Sequence, residues 1–125
     1  MECCTTQEVA DVLVVRVHGR IDHTTAKAFE EALLPQLDSG IAEHKKVLFD
    51  LSEVPYMSSA GLRVLTVAAK ECRKQNSDIA VAALQPLLQE VFRISRFDTI
   101  FKIFPTVQEA LQAISPEAAS AYGGE

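Results

Sequence analysis

The run from Asp50 to Leu65, with the residues on either side of it, constrains the fold more than any other part of this sequence. Before it stands the apolar segment Val47-Leu48-Phe49, too short for a helix and bounded by a charge, which reads as a buried strand. After it, Leu62, Leu65, Ala69 and Cys72 recur on one helical face. Between them lies a polar loop with Pro55 and two adjacent serines, Ser58 and Ser59. A serine hydroxyl accepts a hydrogen bond from an orphan N–H in the first helical turn, so one of the pair stands where strand gives way to helix. Gly61 falls two residues into that helix, where glycine costs about 1 kcal/mol against alanine. Its presence implies close approach by another backbone or by a partner.

The same alternation of short β-rich runs and helical patterns continues on both sides. Val12 to Val17 reads as a strand, with a short one over Gln7 to Ala10 before it, turned at Asp11. Gly19 lets the chain bend ahead of Asp22. Ala26, Phe29, Leu33 and Leu37 then keep helical spacing behind the caps Thr24 and Thr25. Pro35 predicts a kink or a change of helical geometry, and Ser39-Gly40 an end. Lys46 to Leu51 is the next strand, and the helix after the serines should stop near Gln75-Asn76-Ser77. Ile79 to Ala83 is a third strand of the main sheet. A helix opened by Pro86 and a strand over Phe101 to Phe104 follow. Thr106 and Glu109 have capping-box spacing before the last helix, through Ile114. Residues 1–115 thus form the domain, and 116–125 read as a flexible, frayed tail.

Strands alternating with helices predict an α/β fold: a single sheet of mostly parallel strands, right-handed crossovers and about four helices. Functional crevices of such sheets lie beyond the carboxyl ends of the parallel strands, where Asp22, Asp50 and the serine pair all fall.

What the composition excludes narrows the function. At 125 residues the chain makes one domain with room for a real core. A net charge of −5 without a basic block argues against nucleic acid and anionic membranes. No apolar run is long enough for membrane insertion, and the N-terminus has no signal-peptide pattern. Three cysteines without framework spacing fit a reducing cytoplasm. The adjacent Cys3 and Cys4, with no histidine or second pair nearby, read as plain thiols and not as a metal site. His18, His23 and His44 offer no nucleophile elbow, and there is no phosphate-binding P-loop run, so neither an enzyme nor a cofactor is expected.

Asp50-Leu51, followed after a loop by Ser59-Ala60-Gly61-Leu62, resembles the signature of the STAS domain, most closely of the free-standing anti-sigma-factor antagonists. Gly19-Arg20-Ile21-Asp22 is similar to the family's turn, and Phe97-Asp98, Phe101-Lys102-Ile103-Phe104 and Glu109-Ala110-Leu111 to its C-terminal landmarks. The resemblance implies a partner-switching circuit of signal transduction and transcription regulation. The unmodified domain binds an anti-sigma factor with serine-kinase activity and so frees a sigma factor. Phosphorylation at Ser59 releases it, and a PP2C-type phosphatase resets the system. The family usually has an acidic residue before the modified serine; this chain has Ser58, which leaves Ser58 as the alternative acceptor. Partner contacts are expected at Asp22, Ser58, Ser59, Gly61 and Arg63. Two other functions fit the same resemblance: an accessory subunit of a transporter, docked on an ATPase, or a sensor holding a nucleotide or lipid in the crevice.

Overall fold

The computed structural model describes residues 4–122. Cys3 and the Gly123-Gly124 end of the expected tail lie outside the described residues. Five strands, β1 (Cys4–Val9), β2 (Val12–His18), β3 (Lys46–Glu53), β4 (Ile79–Ala82) and β5 (Lys102–Phe104), form one sheet in sequence order. β1 is antiparallel to β2; every other pair is parallel. The helices are α1 (Ala26–Ala42), α2 (Ser59–Lys74), α3 (Pro86–Ile94), α4 (Val107–Ile114) and α5 (Pro116–Ala121), with a 3-10 turn at Phe97–Thr99.

Because β2 to β5 step across the sheet in one direction, right-handed crossovers place α1, α2 and α3 on the same face. There Phe29, Leu33, Leu37, Leu65, Leu88 and Phe92 close on Val15, Phe49 and Val81, all of them at or near complete burial. The opposite face, with Val12, Val14, Leu48 and Ala80, is covered by Ala110, Leu111 and Ile114 of α4 and by Ala118 and Ala119 of α5. Cys72 sits in the first core, and burial pushes its thiol up to about 12, so it is a packing residue.

Three expectations are corrected. Residues 116–121 are not frayed: Pro116 occupies the first turn, and the Ser115 side chain caps α5 through the Ala118 amide at 3.2 Å. Small alanines let this fifth helix lie close against α4 and the sheet. The Ser115 hydroxyl also donates to the Asp11 carboxylate, which holds that carboxyl below its usual range. Helix α1 passes through the exposed Pro35 without a change of helix type and through Ser39-Gly40 to Ala42. Beyond Ala42 the chain turns away at His44, whose φ is +62°. Gly40 packs closely on β2: a Cβ there would stand 2.9 Å from Leu13 Cδ2, the tip of a side chain that would have to shift. Strand β1 starts three residues earlier than the alternation suggested, because its threonines and glutamine are exposed and carry no apolar signal.

Replacing Ser115 with alanine removes both the cap and the bond to Asp11. The expected cost is about 1 kcal/mol, seen as a fall of roughly 3–5 °C in the melting temperature.

Candidate functional site

The loops leaving β2 and β3 are zipped together. Gly19 N–H donates to Glu53 O at 2.9 Å, Ile21 N–H to Tyr56 O at 3.0 Å, and Ser58 N–H to Ile21 O at 2.8 Å, so that Ile21 and Met57 form an isolated parallel bridge. Both bridge side chains are buried, Ile21 at 0% and Met57 at 1% exposure. Asp22 and Ser58, the next residues along each loop, are therefore brought side by side at the carboxyl end of the sheet.

Helix α2 begins on this bridge. Ser58, in extended geometry, is its N-cap, with Oγ accepting from Gly61 N–H at 3.5 Å and the carbonyl accepting from Leu62 N–H at 2.9 Å. Ser59 is the first helical residue and is exposed, and no hydrogen bond to its hydroxyl occurs among the described residues. The two serines thus divide their labour: one hydroxyl is engaged in capping and is half-buried, the other stands free at the helix mouth. Arg63, one turn further on, is exposed on α2.

Gly61 is buried, and the reason for its missing side chain is internal. A Cβ at Gly61 would lie 2.5 Å from Met57 Cγ and 2.7 Å from Ile21 Cγ2. The glycine lets the first turn of α2 settle onto the bridge, a close approach within the chain.

Asp22 caps the turn that enters α1. Its Oδ1 accepts from Thr24 N–H at 2.9 Å and from Thr24 Oγ1 at 2.7 Å, while its carbonyl accepts from Thr25 and Ala26 N–H. The hydrogen bonds from the Thr24 side chain and amide hold its carboxyl down to about 2. Its folded value lies below its unfolded value, so the contribution to stability is present above the ordinary carboxylate range, near pH 4, and is lost as pH falls through about 2. An Asp22→Asn variant should therefore differ from the parent in denaturant midpoint at neutral pH, and the difference should disappear in acid.

Two contacts here escaped the sequence. Arg20 pairs with Asp22 at 3.5 Å and lies over the Tyr56 ring at 4.3 Å from its centroid. Residues 20 and 56 are far apart in sequence, and no spacing rule links them. Asp50, by contrast, is not part of the crevice. Strand β3 continues past it to Glu53, and strand alternation turns Asp50 to the α4 face beside Arg16, whose Nε reaches Asp50 Oδ2 at 3.0 Å. Its other oxygen accepts from Ser52 N–H at 3.0 Å, so it steadies the start of the loop from behind.

Asp22, Tyr56, Ser58, Ser59 and Arg63 thus form a solvent-facing rim with ionised groups and the free hydroxyl of Ser59. Among the described residues no side chain hydrogen-bonds the Ser59 hydroxyl, and no group of three His, Cys, Asp or Glu is placed to hold a metal ion. The rim suits recognition and covalent modification.

Comparison with known proteins agrees with this architecture. The STAS domain family profile matches residues 4–110. The chain is 33% identical over 109 residues to BtrV of Bordetella bronchiseptica, to which an anti-sigma factor antagonist role is provisionally assigned; the match covers 87% of this chain and 91% of BtrV. It is 32% identical over 113 residues to the anti-sigma-F factor antagonist RsfB of Mycobacterium tuberculosis, covering 87% and 88%. The crystal structure of an anti-sigma factor antagonist from Mycobacterium paratuberculosis superposes with a TM-score of 0.76 at 28% identity, covering 89% of this chain and 92% of that one.

Proposed function

Since the chain belongs to the STAS domain family, we propose that it is an anti-sigma factor antagonist that docks on its anti-sigma factor through the α2 rim and is released by phosphorylation at Ser59. The likeness to BtrV and RsfB supports the general role. The observation that carries the finer reading is the exposed Ser59 hydroxyl at the first position of α2, beside a Ser58 already used as the cap.

The physical consequence of modification at this place is specific. A phosphate adds roughly −1.5 to −2 charge at neutral pH. At the mouth of a helix it meets free N–H groups and the positive end of the dipole, worth about 0.3–1 kcal/mol, so the scaffold tolerates it. Arg63 lies four residues on from Ser59, the spacing and order at which an anion and a cation on one helix attract. Phosphorylation would then place a dianion in the docking surface and divert Arg63 from the partner at the same time. Release is an interface effect, without refolding.

In this circuit the chain is substrate and competitor. The partner is an anti-sigma factor with serine-kinase activity, the phosphate comes from ATP, and a PP2C-type phosphatase restores the binding form. Asp22, Ser58 and Arg63 contribute to the rim that the partner reads. Incubation with ATP and the cognate kinase, followed by peptide mass spectrometry, tests the assignment. A single phosphate on Ser59 is expected. Modification confined to Ser58, or none at all, overturns it.

A further inference from the structure

We infer that the outer face of α3 is a second docking contact, and that the surface it meets on the partner is acidic with an apolar recess. The inference rests on the reading above for the identity of the partner, but its observations are independent of Ser59.

Helix α3 needs one apolar face to fold, and has it: Leu88 and Phe92 are at 0% and 1% exposure. Yet it carries a second. Leu87 is 56% and Ile94 71% exposed, with Val91 half-buried between them. At 3.6 residues per turn, positions 87, 91 and 94 fall within an arc of about 60°. Nothing in the described fold covers this stripe, and large aliphatic side chains grouped on one exposed face mark interaction sites.

Charge identifies what covers it. From Ser59 to Lys102 the sequence carries seven Lys or Arg against four Asp or Glu; the remainder carries five against thirteen. An acidic protein has thus gathered its positive charge on the segment that holds α2 and α3. Arg63, Lys70 and Arg73 are exposed on α2 and Arg96 just after α3, while the exposed Lys74 and Arg93 each pair with a glutamate of their own helix, Glu71 and Glu90. A second copy meeting this face with its own, as in a two-fold dimer, would bring these cations against their like. An acidic protein surface complements them.

The start of α3 is also tied to the strand end from which the Ser59 loop departs. Gln85, the N-cap residue of α3, donates through Nε2 to Ser52 O at 2.9 Å, which ties α3 to the end of β3 where the serine loop departs. Both helices pack on the same face of the sheet. An acidic partner then accounts for both halves of the switch: it attracts the α2–α3 face and repels a phosphate placed beside it.

The test uses the full chain and the purified cognate anti-sigma factor, with affinity measured by calorimetry at low and high salt. Leu87→Ser/Ile94→Ser should bind at least tenfold more weakly with an unchanged melting temperature, since both side chains are exposed. Arg96→Glu should weaken binding and flatten its salt dependence. Wild-type affinity in the Leu87/Ile94 variant, alongside a weakened Ser59→Asp, overturns this inference and leaves the serine reading intact. Full affinity in Ser59→Asp alongside a weakened Leu87/Ile94 variant does the reverse. Leu87- and Ile94-dependent binding to phosphatidylglycerol vesicles, or self-association lost in that variant, also overturns it.

Discussion

Ser59→Asp is expected to bind the anti-sigma factor at least about a hundredfold more weakly than the parent, a loss of about 2.7 kcal/mol, while Ser59→Ala binds as the parent does. The hydroxyl is exposed and has no hydrogen-bond partner among the described residues, so alanine removes nothing the fold uses. Aspartate at the first position of α2 favours the helix through the dipole, so the melting temperature should hold or rise slightly. What changes is the interface. A carboxylate pressed against a partner without a counter-charge forfeits hydration, and leaving a buried charge uncompensated costs about 3–5 kcal/mol. Isothermal calorimetry of the three proteins with the anti-sigma factor checks this. Equal affinities for the alanine and aspartate variants would contradict the charge argument.

The second large effect is on stability. Gly61→Ala ought to stabilise an ordinary helix by about 1 kcal/mol; here it is expected to destabilise the domain by about 1–3 kcal/mol net. The added Cβ would stand 2.5 Å from Met57 Cγ and 2.7 Å from Ile21 Cγ2, where carbon atoms pack at about 3.5–4 Å. Neither neighbour can turn away, because both atoms are near the backbone of residues at 1% and 0% exposure. The first turn of α2 must lift from the Ile21–Met57 bridge, carrying Ser58 and Ser59 with it. Urea titration should show a lower midpoint for Gly61→Ala, with partner affinity reduced as well. A higher midpoint would mean that helix propensity outweighs the contact, and that the glycine serves no packing purpose.

How much of this was legible in the sequence depends on the range of the interactions involved. The strand–loop–helix junction at Ser58 and Ser59 was readable because capping is local, as were Pro86 at the start of α3 and the Thr106–Glu109 box, where Thr106 Oγ1 accepts from Glu109 N–H at 3.1 Å. The glycine at position 61 could be flagged as costly, but its cause lay at Ile21, forty residues away and across a bridge that no periodicity marks. Asp50 was misplaced because strand ends are set by the neighbouring strand: pairing with β2 continues past Asp50 to His18 and Glu53, and each added residue flips a side chain to the other face. Helix α5 was missed because its buried face is Ala118 and Ala119, too small to register as hydrophobic periodicity, although Ser115-Pro116 is a proper helix start. The Arg20–Tyr56 stack depends on tertiary placement alone.

The most direct test of the central claim is to phosphorylate the chain to completion at Ser59 and measure two quantities on the same sample: affinity for the anti-sigma factor and thermal unfolding. Affinity is expected to collapse while the melting temperature is unchanged or slightly raised. Undiminished binding by the phosphorylated chain, or lost binding accompanied by a large drop in melting temperature, would contradict a switch that acts at the interface.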